Sequence, residues 1–337
     1  VSNLEEVAIP KRLEEGPVGR ELDQLKIKTA KMYYLQKLNQ AEIGERLGIS
    51  RFRVARLLQA AEEDGIVQIR VIDPLEIGTC RDLETDLEKR FGLQEAIVVN
   101  VPGVPGKDII CEKLGNAGAA YLRRTLQDGD VLGVSWGSTV SALVNSLSPS
   151  ERRLDIDVVQ VTGSSRELSI DINAADLARR LAAAFGGRCH LLHAPIILGS
   201  EELRNGIVAE PDISATLQLY DVVNVVLAGI GAFDPQPISL FAKAARLNQA
   251  EIALLRRSGV VGDIGSLFFD SEGRFVENEV SRRTMSMTVG QYLRVKKVIA
   301  VAGGPDKVRA ITAALKGHFI HVFITDNGTA LSVLNAS

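Results

Sequence analysis

Seven short runs rich in Val, Ile and Leu punctuate the chain after residue 94. They are EAIVVNV (95–101), DVLGVSW (130–136), IDVVQVTG (156–163), RCHLLHAP (188–195), VVNVVLAGI (222–230), KKVIAVAGG (296–304) and HVFITD (321–326). None alternates apolar with polar residues, the pattern of strands buried on both faces. Helical patterns separate most of them, as in DIICEKLGNAGAAYLRRTLQ (108–127) and NAADLARRLAAAF (173–185). Strand and helix in repetition imply a mostly parallel sheet with helices on both sides, a Rossmann-like three-layer α/β body. In such folds ligands bind beyond the carboxyl ends of the strands.

The chain of 337 residues exceeds one typical core. The reading is a flexible segment over 1–20, a small domain over 21–73 and the α/β body over 74–337, with the boundary at Asp73-Pro74. Apolar residues make up 46% and charged residues 24%, enough to bury a core and too much to favour disorder. No uncharged apolar run approaches the roughly 20 residues that cross a bilayer, so no membrane partner and a cytoplasmic location are expected. Cys80, Cys111 and Cys189 lie far apart and are odd in number, which fits reduced thiols rather than disulfides or a metal site. His190 and His193 stand three apart in a strand-like run, so they face opposite sides and do not chelate together.

The net charge of −3 conceals a basic head. Between Arg20 and Ala60 stand nine Lys or Arg (Arg20, Lys26, Lys28, Lys31, Lys37, Arg46, Arg51, Arg53, Arg56) against four acids (Glu21, Asp23, Glu42, Glu45). A local excess of this kind favours a polyanionic partner. Apolar positions from Leu22 to Leu38 predict one amphipathic helix. Gln40 to Leu47 predicts a second, with Ala41, Ile43, Leu47 and Ile49 for packing and Gly48 as its left-handed end. Ser50 caps a third that runs to about Asp64. This is a helix-turn-helix. On the third helix Val54, Leu57, Leu58 and Ala61 share one face, whereas Phe52, Arg53, Arg56 and Gln59 lie roughly opposite, where a major-groove helix carries its reading residues. Gln40, Ser50, Arg51, Phe52, Arg53 and Arg56 are the candidate contacts to double-stranded DNA. GIVQIRVID (65–73) then alternates as a strand and suits a wing.

The run AKMYYLQKLNQAEIGERLGISRFRVARLLQAAEEDGIVQIRV resembles the DNA-binding segment of the SorC/DeoR-type sugar-responsive transcription regulators. The resemblance continues through GVSWGST, LAGIGAF, VGDIGSLFFDSEGR, VAGGPDKVRAITAAL and VFITDNGTALSVL, and so covers the chain after residue 25. It implies a repressor or activator of a carbohydrate operon, a tetramer of the dimer-of-dimers kind, and an effector domain related in fold to sugar-phosphate isomerases. It also implies that Ser138, Thr139 and Lys307 stand at phosphate-binding positions and Asp263 at a position touching the polyol part of the ligand. The match at Asp171 and Asn173 is looser.

Read residue by residue, SWGSTV (135–140) follows a strand and opens a helix, so backbone N–H groups at Gly137, Ser138 and Thr139 meet an anion together with the helix dipole. AGGPDKVRAI (302–311) repeats the design, with Gly303 and Gly304 for close approach and Lys307 for charge. Gly229, Gly231 and Asp263 stand at two further strand ends, and SIDINAADL (169–177) offers Asp171 and Asn173. The candidate effector set is Ser135, Gly137, Ser138, Thr139, Asp171, Asn173, Gly229, Gly231, Asp263 and Lys307. The expected small molecule is a sugar phosphate. No Walker A loop is present, so nucleotide triphosphate hydrolysis is excluded and no cofactor is expected.

Two enzyme readings compete. Gly133-Val134-Ser135-Trp136-Gly137 spells the G-x-S-x-G elbow of serine hydrolases, and Asp263 with His318 or His321 follow in the right order. However, no HGGG-like loop precedes it, and Ser135 reads as a strand-end residue. A sugar-phosphate isomerase or deaminase needs a tuned base over the first sugar carbons, and none is assignable. A ligand-responsive regulator without catalysis therefore fits best.

Overall fold

The computed structural model describes residues 17–67, 80–103, 106–147, 153–233 and 240–336. The chain divides into two compact units, Val1–Glu76 and Ile77–Ser337. The expected boundary at Asp73-Pro74, and most of the expected wing strand, lie outside the described residues.

In the first unit α1 spans Pro17–Ala30 and then widens into a π-helical turn, Lys31–Leu35, instead of running on as one α-helix. Around this turn Met32 is buried while Leu35 stands 74% exposed. Asn39 opens α2 (Gln40–Leu47): its side chain accepts from the Ala41 and Glu42 N–H groups, and Glu42 answers on the Asn39 N–H. Gly48 ends α2 at φ 65°, as its type suggests. The Ser50 hydroxyl accepts from Arg53 N at 3.3 Å and starts α3 (Arg51–Glu63). Val54, Leu57, Leu58 and Ala61 of α3 are buried, as is Ile43 of α2. Ala41, expected to pack, is exposed. Lys26 bridges Asp23 at 3.1 Å and Asp64 at 2.6 Å and so fastens α1 to the end of α3.

The second unit opens with α4 (Arg81–Phe91), whose Leu87 and Phe91 enter the body's core. The central sheet contains β1 (Glu95–Val99), β2 (Val131–Val134), β3 (Asp157–Gln160), β4 (Arg188–His190), β5 (Val225–Ala228), β9 (Lys297–Val301) and β10 (Val322–Asp326). All pairings are parallel, in the order β1-β10-β9-β5-β2-β3-β4. Successive residues of a strand face opposite sides. Thus Val226 and Val298 join a core that includes residues of α4, α14 (Val308–Lys316) and α15 (Asn327–Asn335). Leu132, Leu227 and Ile299 join one with α5 (Lys107–Thr125), α6 (Ser138–Asn145) and α7 (Ala174–Phe185). β4 departs from the expected doubly buried run: it is an edge strand, and Arg188 and Cys189 are exposed.

A second sheet, antiparallel, was not legible as such. It comprises β6 (Ile230–Ala232), β7 (Gly262–Ile264) and β8 (Leu267–Phe269). Gly265 and Ser266 turn the β7–β8 hairpin with φ of 57° and 68°, the two-residue turn that needs both residues left-handed. Asp263 therefore sits within a strand rather than at a strand end. The remaining helices are α8 (Glu201–Val208), α9 (Pro211–Gln218), α10 (Leu240–Ala244), α11 (Gln249–Arg257), α12 (Glu279–Arg282) and α13 (Val289–Leu293).

Helix α5 packs on α6 through a glycine. A Cβ on Gly115 would stand 2.5 Å from the Ala142 carbonyl carbon, a backbone atom that has no room to yield. By contrast Gly206, inside α8, faces open space. Denaturant titration is expected to show Gly115→Ala losing about 2 kcal/mol despite its better helix propensity, and Gly206→Ala gaining up to about 1 kcal/mol. Equal effects at both positions would contradict this packing.

Candidate functional site

A cavity of about 350 Å³ lies beyond the carboxyl ends of β2, β5 and β9, where a parallel sheet places its ligands. It gathers eight of the ten candidate effector residues: Ser135, Gly137, Ser138, Thr139, Gly229, Gly231, Asp263 and Lys307. Asp171 is exposed on a short 3-10 turn and does not line it. Asn173 faces a different groove and is occupied as a cap: its side chain accepts from Ala175 N and donates to Ser165 O.

The β2–α6 loop forms one wall. β2 ends at Val134, so Ser135 lies just past the strand, 3% exposed, with its N–H still bonded to Leu227 O at 3.1 Å. Gly137 then takes φ 141°, a conformation that favours glycine, and starts α6 with no side-chain cap. The first N–H groups of α6 therefore need another acceptor, and the positive end of the helix faces the cavity. Thr139 differs from expectation. Its hydroxyl donates to Val301 O at 2.7 Å inside the protein, so its role is to tie two loops together.

The β9–α14 loop forms the second wall, and there the expected glycine cradle is already occupied. Gly304 N–H donates to Asp326 Oδ2 (3.2 Å) and Thr329 Oγ1 (2.7 Å). Gly303 makes room for the same carboxylate, since a Cβ there would stand 2.3 Å from Asp326 Oδ2. What this loop offers an anion is Lys307. Burial holds its ammonium below the ordinary lysine range and nearby Lys107 adds to that, while Asp263 opposes weakly.

Lys107, at the first position of α5, is a lining residue that sequence reasoning missed. One signal was available: a lysine in the first turn of a helix opposes the dipole and needs another reason to be there. Trp136, Ile172, Leu240, Phe241 and Asp306 are among the other additions. Trp136, the single tryptophan of the sequence, is 7% exposed, and its indole N–H has no partner among the described residues.

Asp263 faces this cationic end. Burial pushes its carboxyl up to about 7, against the pull of Lys307 and of the Ser266 backbone. Gly231, its partner across β6 and β7, must lack a side chain, because a Cβ would lie 2.1 Å from Asp263 Oδ1. A carboxyl near neutrality both donates and accepts hydrogen bonds, which suits hydroxyl groups.

The hydrolase reading fails on topology. His321 Nδ1 accepts from Val298 N at 3.1 Å and His318 Nδ1 bonds Phe91 O at 3.0 Å. His321 immediately precedes β10 and Val298 is the second residue of β9, so this histidine stands at the amino end of the parallel sheet, opposite Ser135. In the first unit, Arg51, Phe52, Arg53 and Arg56 are all exposed on α3, Phe52 to 82%, with Gln40 half-buried at the start of α2. Among the described residues no cluster fits a metal ion.

Residues 76–335 match the family described as "Putative sugar-binding domain", and residues 31–62 match "Sigma-70, region 4". The chain is 35% identical over 319 residues to the deoxyribonucleoside regulator of Bacillus subtilis, covering 94% of this chain and 99% of that one. It is 32% identical over 308 residues to the sorbitol operon regulator of Klebsiella pneumoniae, covering 91% and 96%. The crystal structure of the full-length regulator SorC from Klebsiella pneumoniae superposes with a TM-score of 0.70 at 29% identity, covering 94% of this chain and 99% of that one.

The raised Asp263 carboxyl has a consequence for stability. The unfolded chain releases this proton near 3.8 and the folded one near 7, so the folded state holds more protons between these values and loses stability as pH rises. The span amounts to roughly 4 kcal/mol. Denaturant titrations of the unliganded chain from pH 4.5 to 8 are expected to show Asp263→Asn gaining on the unsubstituted protein as pH increases. Parallel profiles would contradict a buried, proton-holding carboxyl.

Proposed function

The chain belongs to the sugar-binding-domain family of SorC/DeoR-type transcriptional regulators, and we propose that its effector is a phosphorylated sugar or polyol held in the cavity at the ends of β2, β5 and β9. The phosphate lies against the uncapped start of α6, between Lys107 and Lys307, and the hydroxyls reach Asp263. One observation carries this reading: an open helix N-terminus, two lysines and a buried carboxyl that burial pushes up to about 7 line the same cavity. The size agrees, since small-molecule sites begin near 300 Å³.

The protein is a DNA-binding regulator rather than an enzyme, as its relatives are named regulators. In our reading α3 enters the major groove, Arg53 and Arg56 reach guanine edges or phosphates, and Phe52 meets a thymine methyl. Gln40, Ser50 and Arg51 contact the backbone. A homotetramer pairs the heads on symmetric half-sites, because a monomeric head reads too short a sequence. No cofactor takes part. Among the described residues no helix is long and apolar enough to cross a membrane. The site of action is where the DNA is, the cytoplasm.

Trp136 reports on the cavity directly, as no other tryptophan competes with its emission. Titrating pentose and hexose phosphates is expected to shift that emission, with the unphosphorylated sugars far weaker. Lys307→Met is expected to weaken binding by about tenfold to a hundredfold, the worth of one charge-assisted contact of about 1.5–3 kcal/mol. Arg53→Ala is expected to keep the emission change and lose operator binding. Equal affinity for sugar and sugar phosphate, or an unaffected Lys307→Met, would place the phosphate elsewhere.

A further inference from the structure

A second concavity in the body, of about 730 Å³, lies past the ends of β3 and β4 at the open edge of the sheet. Its floor is rigid. The Gln160 side chain, fully buried, donates to Thr162 O (2.7 Å) and Ser164 Oγ (3.0 Å) and accepts from Leu192 N (3.1 Å), which locks the two strand exits together.

The rim is cationic. Arg166, Arg179 and Arg246 line the groove, and Glu167 is the sole carboxylate among the lining residues. Glu167 pairs with Arg246 and lies 3.6 Å from Arg166. Arg179 has no carboxylate partner among the described residues. Three guanidinium groups against one carboxylate leave two positive charges around a concave surface. Arg246 also holds φ 53°, which costs a residue with a side chain about 1 kcal/mol or more. Such strain persists where the surroundings impose it, and it concentrates at ligand clamps. Ser165 stabilises the same corner by donating to Ala244 O at 2.6 Å.

We propose that this groove is a second anion site, separate from the effector cavity, for a compact metabolite carrying two or more phosphate or carboxylate groups. Guanidinium forks suit both groups bidentately. No Phe, Tyr or Trp lines the groove and His193 is its single ring, too little for the row of stacking platforms that single-stranded nucleic acid requires. The inference does not rest on the assignment of the effector.

The test is calorimetric titration of the full chain with inorganic pyrophosphate and, separately, with citrate. It is run on the Lys307→Met background, so that the effector cavity contributes little. Binding of at least one probe near one per chain is expected, and Arg179→Ala combined with Arg246→Gly is expected to weaken it at least tenfold. Glycine at 246 suits the left-handed backbone, so this variant keeps its fold, and an unchanged circular dichroism spectrum and thermal unfolding midpoint verify that. Pyrophosphate alone binding identifies a phosphate site, and citrate alone a carboxylate site. The proposal is overturned if neither probe binds, or if the arginine variant binds as before. It is also overturned if that variant changes the sedimenting mass with anion binding unaltered, which would make the groove a contact between copies.

Discussion

The hydrogen bond from Thr139 Oγ1 to Val301 O decides the shape of the effector cavity. β5 lies between β2 and β9 in the sheet, so this bond spans the exit of the intervening strand. Gly229 stands beneath it: a Cβ there would come within 3.2 Å of the hydroxyl and 3.8 Å of the carbonyl. The missing side chain and the bond are therefore parts of one arrangement. It holds the start of α6 and the loop carrying Lys307 in fixed relation before any ligand arrives, which reduces the ordering that binding must impose. Removing the hydroxyl would leave a buried carbonyl unpaired, at a cost of about 1–3 kcal/mol.

Electrostatics within that frame are poised rather than balanced. Lys307 is pushed toward its neutral form and Asp263 toward its protonated form, both chiefly by burial, and the two make no close ion pair. A phosphate bound beside Lys307 and Lys107, as proposed, would supply counter-charge and favour the full ammonium charge. The carboxyl meanwhile keeps a proton to share with hydroxyls. Under the proposed reading this asymmetry would favour a phosphorylated polyol over either a bare anion or a neutral sugar.

The sequence made the larger features readable. Seven apolar runs correspond to the seven parallel strands, Gly48 ends α2, and the two faces of α3 separate as 100° spacing requires. Local patterns failed where a contact joins distant positions. Nothing near Gly304 indicates that its N–H is taken by Asp326 and Thr329, and nothing near Gly231 indicates that its vacancy accommodates Asp263. The antiparallel β6–β7–β8 sheet escaped for a related reason: its strands are three residues long, too short for periodicity to show. The π-turn at Lys31–Leu35 interrupts what reads as unbroken helical spacing.

A regulator of this design lives on linkage between its two ligands, which must be reciprocal. The most direct test measures operator affinity of the full chain with and without the sugar phosphate that shifts Trp136 emission, and sugar-phosphate affinity with and without operator. The account predicts the same factor in both directions, of about 5 to 150. Operator affinity unmoved at saturating sugar phosphate would contradict it.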